Sequence, residues 1–234
     1  MLVEREAYSE ETLEAQISEK VELVERKLSN VEEIAREEVE AIYRLLGRSK
    51  VFMCLNCGNT TILSSKKTIK TCPDCGSSNI AVFGLRDKEK LVEARVKFYR
   101  KLYEGSLTFL KIISELAPQL IGYGYIKSLT PFRIEVGSYS YITITHDKIR
   151  AYMHWLTHEA DLELIKKLIT TCKRYRDKLV KLGVIKLEIE VDSRLDHCRI
   201  PEKRLREMGF RKGEELGVKE YPTAANWVLR VSFK

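Results

Sequence analysis

Two short cysteine pairs, Cys54-Leu-Asn-Cys57-Gly58 and Cys72-Pro-Asp-Cys75-Gly76, carry the chemistry most directly legible in this chain. Two residues between paired cysteines let both sulfurs reach one ion from a single tight turn. The glycine after each pair supplies the positive φ that folds the chain back over a metal. Fourteen residues separate the pairs, enough for a hairpin and little more. Four thiolates complete a tetrahedral Zn²⁺ with no open position, so the site is structural and performs no reaction. One structural Zn²⁺ is therefore the expected cofactor, held by Cys54, Cys57, Cys72 and Cys75, and no catalytic residue is assigned. Two disulfides, or four unrelated thiols, are the alternative uses of four cysteines.

Apolar and β-branched residues flank the pairs: Val51-Phe52-Met53, Thr60 to Leu63, Thr68-Ile69 and Ile80 to Phe83. These read as short strands held together by an ion. Cysteines and strands together resemble a zinc ribbon over residues 50–84. Rubredoxin-like sites hold iron with a similar pairing, and their rubrerythrin relatives add a di-iron helical bundle built on Glu-x-x-His motifs. None of the four histidines here has a glutamate three positions before it, so zinc is the expectation.

Other reactive side chains form looser groups. His154 and His158 lie four apart, with Glu159 and Asp161 beside them, and would share a metal only on a helix; His154 instead reads as a strand end. Asp192, Asp196 and His197 fall in one loop after a strand and offer acid–base groups or a hydrogen-bonded turn. Cys172 and Cys198 read as small buried residues. No Ser-His-Asp order, P-loop or dinucleotide fingerprint occurs, and the protein reads as a binder rather than an enzyme.

The elements that position these residues follow from periodicity. From Ser9 to Leu46, apolar residues at Leu13, Ile17, Val21, Val24, Leu28, Val31, Ala35, Val39, Ile42 and Leu46 step by three and four, so residues 1–49 read as an acidic helical arm with a coiled-coil-like seam. Ser29-Asn30 is a point where it divides into two helices. Folding back onto the chain or forming a homodimer are the two uses of that seam. Residues 85–124 read as connecting helices, from Lys88 to Glu104 or on to Leu116, ended by Pro118. Residues 125–234 read as an α+β domain. It begins with strands at Phe132–Val136, Tyr139–Thr145 and Lys148–Trp155 and a helix at Asp161–Leu182. A strand at Val184–Val191, a helix at Pro201–Met208 and a strand at Trp227–Phe233 complete it.

This order, with Leu182-Gly183-Val184 leading into a strand and Arg204 to Met208 finishing in Gly209-Phe210, resembles a GCN5-related N-acetyltransferase over residues 125–234. That resemblance implies a mixed sheet and an acetyl-CoA turn rich in glycine at the start of the central helix, where backbone N–H groups meet the pyrophosphate. Here that place reads Leu156-Thr157-His158-Glu159-Ala160-Asp161-Leu162-Glu163, with no glycine and three carboxylates. The family's tyrosine general acid falls at Leu205. The resemblance therefore implies a degenerate domain reused for binding, with an acyltransferase of unconventional cofactor turn as the alternative.

Charge supplies the partner class. Residues 1–47 hold thirteen acidic and six basic side chains, a balance of −7, and the remainder holds 35 basic against 21 acidic, a balance of +14. A basic body of this kind suits nucleic acid or a nucleoprotein machine. The residues expected to meet phosphates are Lys90, Lys97, Arg100 and Lys101 on the first connecting helix and Lys166, Lys167, Lys173 and Arg174 on the long C-terminal one. Arg199, Lys203, Arg204, Arg206, Arg211 and Lys212 complete the set. A protein–protein adaptor acting through the N-terminal arm is a further reading. High Lys, Arg and Glu with only Gln16 and Gln119 among the glutamines is the composition of hyperthermophile proteins and points to an archaeal source. No apolar run is long enough to span a bilayer and no signal-peptide pattern opens the chain, so a cytoplasmic location without membrane contact is expected.

Overall fold

The computed structural model describes residues 9–194, 197–216 and 226–234. It is an α+β protein whose chain divides into two compact units, Leu23–Glu104 and Met1–Glu22 with Gly105–Lys234. We refer to them as the cysteine unit and the sheet unit. Among the described residues no helix is long and apolar enough to cross a membrane.

The N-terminal segment forms α1 (Glu10–Ser29) and α2 (Val31–Leu46), divided at Asn30. The Ser9 hydroxyl accepts the Thr12 N–H at 3.2 Å and so caps α1. The apolar stripe is covered within the single chain: Leu13, Ile17, Val24, Val31, Ala35, Val39 and Leu46 are all buried.

In the cysteine unit, β1 (Ser49–Cys54) is the centre of an antiparallel sheet, with β2 (Thr60–Ser64) on one side and β3 (Ile80–Phe83) on the other. Thr68-Ile69, expected as a strand, is not one: β1 already has a partner on each edge, and the segment lies in the connection to the second cysteine pair. Ala35, Val39 and Leu46 of α2, Val51 and Met53 of β1, Phe83 of β3, and Leu91 and Val92 of the following helix share one core. That helix, α3 (Lys88–Tyr123), is 36 residues long and runs through Pro118. Proline removes one helical hydrogen bond, at a cost of roughly 3 kcal/mol in a helix interior. Leu116, Ala117 and Leu120 around it are fully buried, and apolar burial of about 1.5–3 kcal/mol per large side chain offsets the break.

The sheet unit holds seven strands in the order β4-β5-β6-β7-β8-β10-β9. They are β4 (Ile126–Thr130), β5 (Arg133–Val136), β6 (Ser140–Ile144), β7 (Lys148–Met153), β8 (Lys186–Val191), β9 (Arg211–Lys212) and β10 (Trp227–Ser232). Every neighbouring pair is antiparallel except β7 and β8. The helical crossover between those two strands is α4 (Glu159–Arg174) and α5 (Arg176–Lys181), and α6 (Glu202–Glu207) precedes β9. The single helix expected over 161–182 is divided at Tyr175, whose φ of −88° and ψ of 5° lie in the bridge region. Its hydroxyl is anchored on Glu115 Oε1 at 2.9 Å.

Strand β8 reads Lys-Leu-Glu-Ile-Glu-Val, and its alternation assigns the faces. Leu187, Ile189 and Val191 are fully buried in the apolar core, while Glu188 and Glu190 face a cationic ladder on the other side. Arg150 Nη2 pairs with Glu190 at 2.8 Å, Lys148 with Glu188 at 3.7 Å and Arg230 with Glu188 at 3.2 Å. The Asn226 amide donates to Glu190 at 2.6 Å. Both glutamates are almost completely buried, and these partners make that burial tolerable.

Candidate metal centres

Each cysteine pair sits on the same backbone device. The Gly58 N–H bonds the Cys54 carbonyl at 2.9 Å and the Gly76 N–H bonds that of Cys72 at 2.9 Å. Cys54 N–H bonds the Asn59 carbonyl, and Cys72 N–H that of Ser77, at 2.8 Å in both. The turns close because Gly58 and Gly76 take φ of +76° and +69°. Side chains then tie the two knuckles together. Asn59 Nδ2 donates to Asp74 Oδ2 at 2.5 Å, Asn56 to the Ser77 hydroxyl at 2.9 Å, and Asn79 to Asn56 Oδ1 at 3.0 Å.

The four sulfurs converge. Cys54 Sγ lies 3.5 Å from Cys75 Sγ, Cys57 Sγ lies 3.5 Å from Cys72 Sγ, and all four fall within 4.8 Å of one another. All six cysteines are free thiols, which removes the disulfide alternative for these four. A tetrahedron with Zn–S bonds of about 2.3 Å has edges near 3.8 Å, so the sulfurs are spaced to hold one ion with little movement. Burial pushes the Cys57 thiol up, and burial of Cys72 is outweighed by N–H groups of Cys75 and Asp74, which bring it down to about 7. A bound divalent cation dominates both effects and deprotonates a coordinating thiol outright.

A second cluster stands at the C-terminal ends of the parallel pair, β7 and β8. Met153 is in register with Val191, so His154 and Asp192, the next residues on each strand, are neighbours on the polar face that carries Arg150, Tyr152, Glu188 and Glu190. A bridge between Leu156 and Cys198 brings in His197, through Leu156 N–H on the His197 carbonyl at 2.7 Å and Arg199 N–H on the Leu156 carbonyl at 3.0 Å. Asp192 Oδ2 is 3.4 Å from His154 Nδ1 and 3.3 Å from His197 Nδ1. Tyr152 donates to Asp192 Oδ2 at 3.1 Å, and Arg194 forks onto both carboxylate oxygens, closest at 2.6 Å. Burial opposes ionisation of Asp192, but Arg194, His197 and Tyr152 together hold its carboxyl well below the usual range. Burial, reinforced by His197, lowers the pKa of His154.

This cluster differs from the pairing read in the sequence. His158 stands at the N-cap of α4 and does not join His154; Asp192 and His197 do. Asp196 lies outside the described residues. Cys172 is fully buried, with burial raising its thiol to about 12, and the thiol of half-buried Cys198 is raised for the same reason.

The expected phosphate-contacting cations are dispersed, and half of them meet carboxylates. Lys90 pairs with Asp87, Arg100 with Glu32, Lys166 with Glu163 and Arg174 with Glu115. Arg204 pairs with Glu207, Arg206 with Glu215 and Lys212 with Glu202. Lys97 and Lys101 line a groove that also holds Glu89, Glu93 and Glu104. Lys167, Lys173, Arg199, Lys203 and Arg211 form no ion pair among the described residues. The sequence reading passed over Lys66, Lys67 and Lys70, all exposed and all without an ion pair among the described residues, on the connection between β2 and the second cysteine knuckle. Three lysines within five residues were the available signal.

No known protein family matches the chain, and no curated protein or solved structure is similar to it.

Proposed function

We propose that the protein is a zinc-ribbon protein that binds nucleic acid, alone or within a nucleoprotein complex, without catalysing a reaction. The observation that carries this reading is the set of solvent-accessible lysines without carboxylate partners among the described residues. One group is Lys66, Lys67 and Lys70, on a loop that begins and ends on the cross-tied four-cysteine module. The other is Lys167, Lys173, Lys178 and Lys181 on α4 and α5, the first half-buried and the rest exposed. The zinc ion, held by Cys54, Cys57, Cys72 and Cys75, stiffens the module that presents the first group. Burial of the N-terminal stripe within one chain supports a fold-back arm over a homodimer seam.

The strand order, the Gly183 turn into β8 and the Gly209-Phe210 turn into β9 support the acetyltransferase-like architecture. Against acyl transfer stands the start of α4. Asp161 Oδ2 accepts the N–H groups of Thr157 at 2.7 Å and His158 at 2.8 Å, so a carboxylate sits where a pyrophosphate would need those donors.

The test is fluorescence anisotropy with labelled 20-mer single-stranded and duplex oligonucleotides over a salt series. If all seven lysines meet duplex phosphates, log K falls against log salt with a slope near −6, at about 0.9 per contact. Charge reversal of Lys66, Lys67 and Lys70 should flatten that slope by ~3, and reversal of the α4–α5 group by ~4. Binding that ignores salt, or slopes unchanged in both variants, refutes the reading.

A further inference from the structure

Two imidazoles and a carboxylate converge where β7 and β8 end, and one ring nitrogen of each imidazole is unsatisfied. His154 Nδ1 and His197 Nδ1 are buried atoms with no hydrogen-bond partner, although each lies within 3.4 Å of Asp192 Oδ2. At that distance a well-aimed N–H would bond the carboxylate; these nitrogens are aimed elsewhere. The His154 side chain is 7% exposed, Asp192 5% and His197 17%. A buried, unpartnered polar nitrogen is costly, and two beside one carboxylate call for a shared partner.

We propose that His154, Asp192 and His197 form a second metal site, which takes a divalent transition-metal ion of the zinc class. Three observations fit. Ligand-capable atoms of all three residues lie within 4.8 Å of one another. The 3.3 and 3.4 Å separations match the edge of a tetrahedron with bonds near 2.0–2.1 Å, the length of zinc–imidazole and zinc–carboxylate bonds. Imidazole nitrogen with one carboxylate is a donor set that suits zinc, iron, copper or nickel rather than magnesium or calcium.

The surroundings supply the outer support that such sites have. Tyr152 and the Arg194 backbone N–H orient the Asp192 carboxylate, and the Ser140 hydroxyl accepts the His154 backbone N–H at 2.9 Å. The metal takes the Oδ2 position now held by Arg194 Nη2, whose side chain is exposed and free to withdraw, while Oδ1 keeps the Arg194 backbone N–H. Three protein ligands leave a fourth position open, unlike the closed cysteine site. Exposed Trp155 packs on His197 at 4.4 Å and exposed Tyr139 on His154 at 4.7 Å, so aromatic rings flank the pair. The site also lies at the carboxyl ends of β7 and β8, the one parallel pair of this sheet among the described residues.

The experiment uses the full-length protein, reduced and stripped of metal, then titrated with Co²⁺ and Zn²⁺. Two equivalents should bind per chain. One gives the intense thiolate-to-cobalt absorption of the cysteine site, and the other gives visible bands without it. His197→Gln, at the more exposed ligand, should weaken the second equivalent by at least ~100-fold, the upper end of what losing an outer partner alone costs. It should leave the thiolate band and the metal-free urea unfolding midpoint untouched, the first reporting the cysteine unit and the second the fold of the rest of the chain. His158→Gln should bind two equivalents like the parent. A parent protein that takes up only the thiolate-bound ion overturns the proposal, as does a second equivalent that His197→Gln and Asp192→Asn both retain.

Discussion

Gly58 and Gly76 occupy equivalent places in the two cysteine knuckles, yet alanine at each should have unequal cost. Both have positive φ, +76° and +69°, and an L-residue there costs about 1–2 kcal/mol. Beyond that the two positions part. A Cβ at Gly76 meets open space, whereas one at Gly58 falls on the Phe98 ring, 2.9 Å from Cε2 and nearer still to Cε1 and Cζ. Phe98 packs on the unit's core and stands 5.5 Å from the Tyr99 ring, so it yields only by repacking, at ~1–3 kcal/mol. Gly76→Ala should therefore cost about 1–2 kcal/mol and Gly58→Ala about 2–5 kcal/mol. The assay is urea unfolding at fixed free Zn²⁺, since bound metal contributes to the measured stability. Repeating the pair in a Phe98→Ala background should close the gap, because the obstructing ring is gone. Equal penalties in the parent background, or a gap that survives removal of the ring, would refute the packing argument.

The same structure leads to four further outcomes. Cys57→Ser or Cys72→Ser should abolish the thiolate-bound ion and the hydrogen-exchange protection of β1–β3, because metal binding in small zinc modules carries about 10–16 kcal/mol of folding free energy. In the parent, zinc affinity read with a chromogenic chelator should fall as pH is lowered. Protons compete at Cys57, whose thiol burial raises, already above the ordinary thiol range, and at Cys72 only below about 7, so the fall steepens there. Phe109→Ala, at a fully buried side chain of the sheet unit, should cost about 3–5 kcal/mol in denaturation, while Tyr139→Ala at the surface should stay within about 0.5 kcal/mol. Glu38→Gln should cost ~1–3 kcal/mol because it strips the carboxylate 2.8 Å from Arg95, a buried guanidinium, whereas Glu32→Gln beside exposed Arg100 should cost no more than ~0.5 kcal/mol.

What was legible in the sequence was what is local. Each cysteine knuckle is complete within about six residues, so spacing and glycine position sufficed to pick out the four cysteines that converge. The alternation of β8 and the stripe along α1 and α2 were readable for the same reason: a period assigns a face without knowledge of the partner. The β4 strand escaped because Ile126-Lys-Ser-Leu-Thr130 has only two buried positions and its pairing with β5 carries a register shift. Pro118 looked like a helix end because local rules do not include the buried neighbours that hold the helix together. The His154–Asp192–His197 cluster was legible only in part: spacing placed Asp192 and His197 in one loop but gave no sign of His154 beside them. Its members come from a strand end, another strand end and a loop, and only the parallel register of β7 on β8 joins them. His158, four residues from His154, was the nearer candidate on the page and the wrong one in space.

The charge asymmetry shows the same limit in another form. A sum of −7 against +14 describes the chain but not which charges face each other. In the cysteine unit the acidic helix α2 turns its carboxylates to the cations of α3: Glu32 to Arg100, Glu38 to Arg95, and Glu40 to Lys88. Arg36 returns the pairing to Glu89. The exposed pairs among these, Glu32–Arg100, Glu40–Lys88 and Arg36–Glu89, contribute ~0–1 kcal/mol each, too little to hold the fold but enough to alter binding. A phosphate that replaces Glu32 on Arg100 leaves a carboxylate behind, beside the incoming anion, and that repulsion subtracts from what the new contact contributes. The α3 cations that the sequence offered as phosphate contacts are for this reason a weaker surface than cations with no carboxylate beside them. Lys66, Lys67 and Lys70, and Lys167, Lys173, Lys178 and Lys181 on α4 and α5, have no carboxylate to displace among the described residues, so each phosphate they meet adds its full electrostatic contribution.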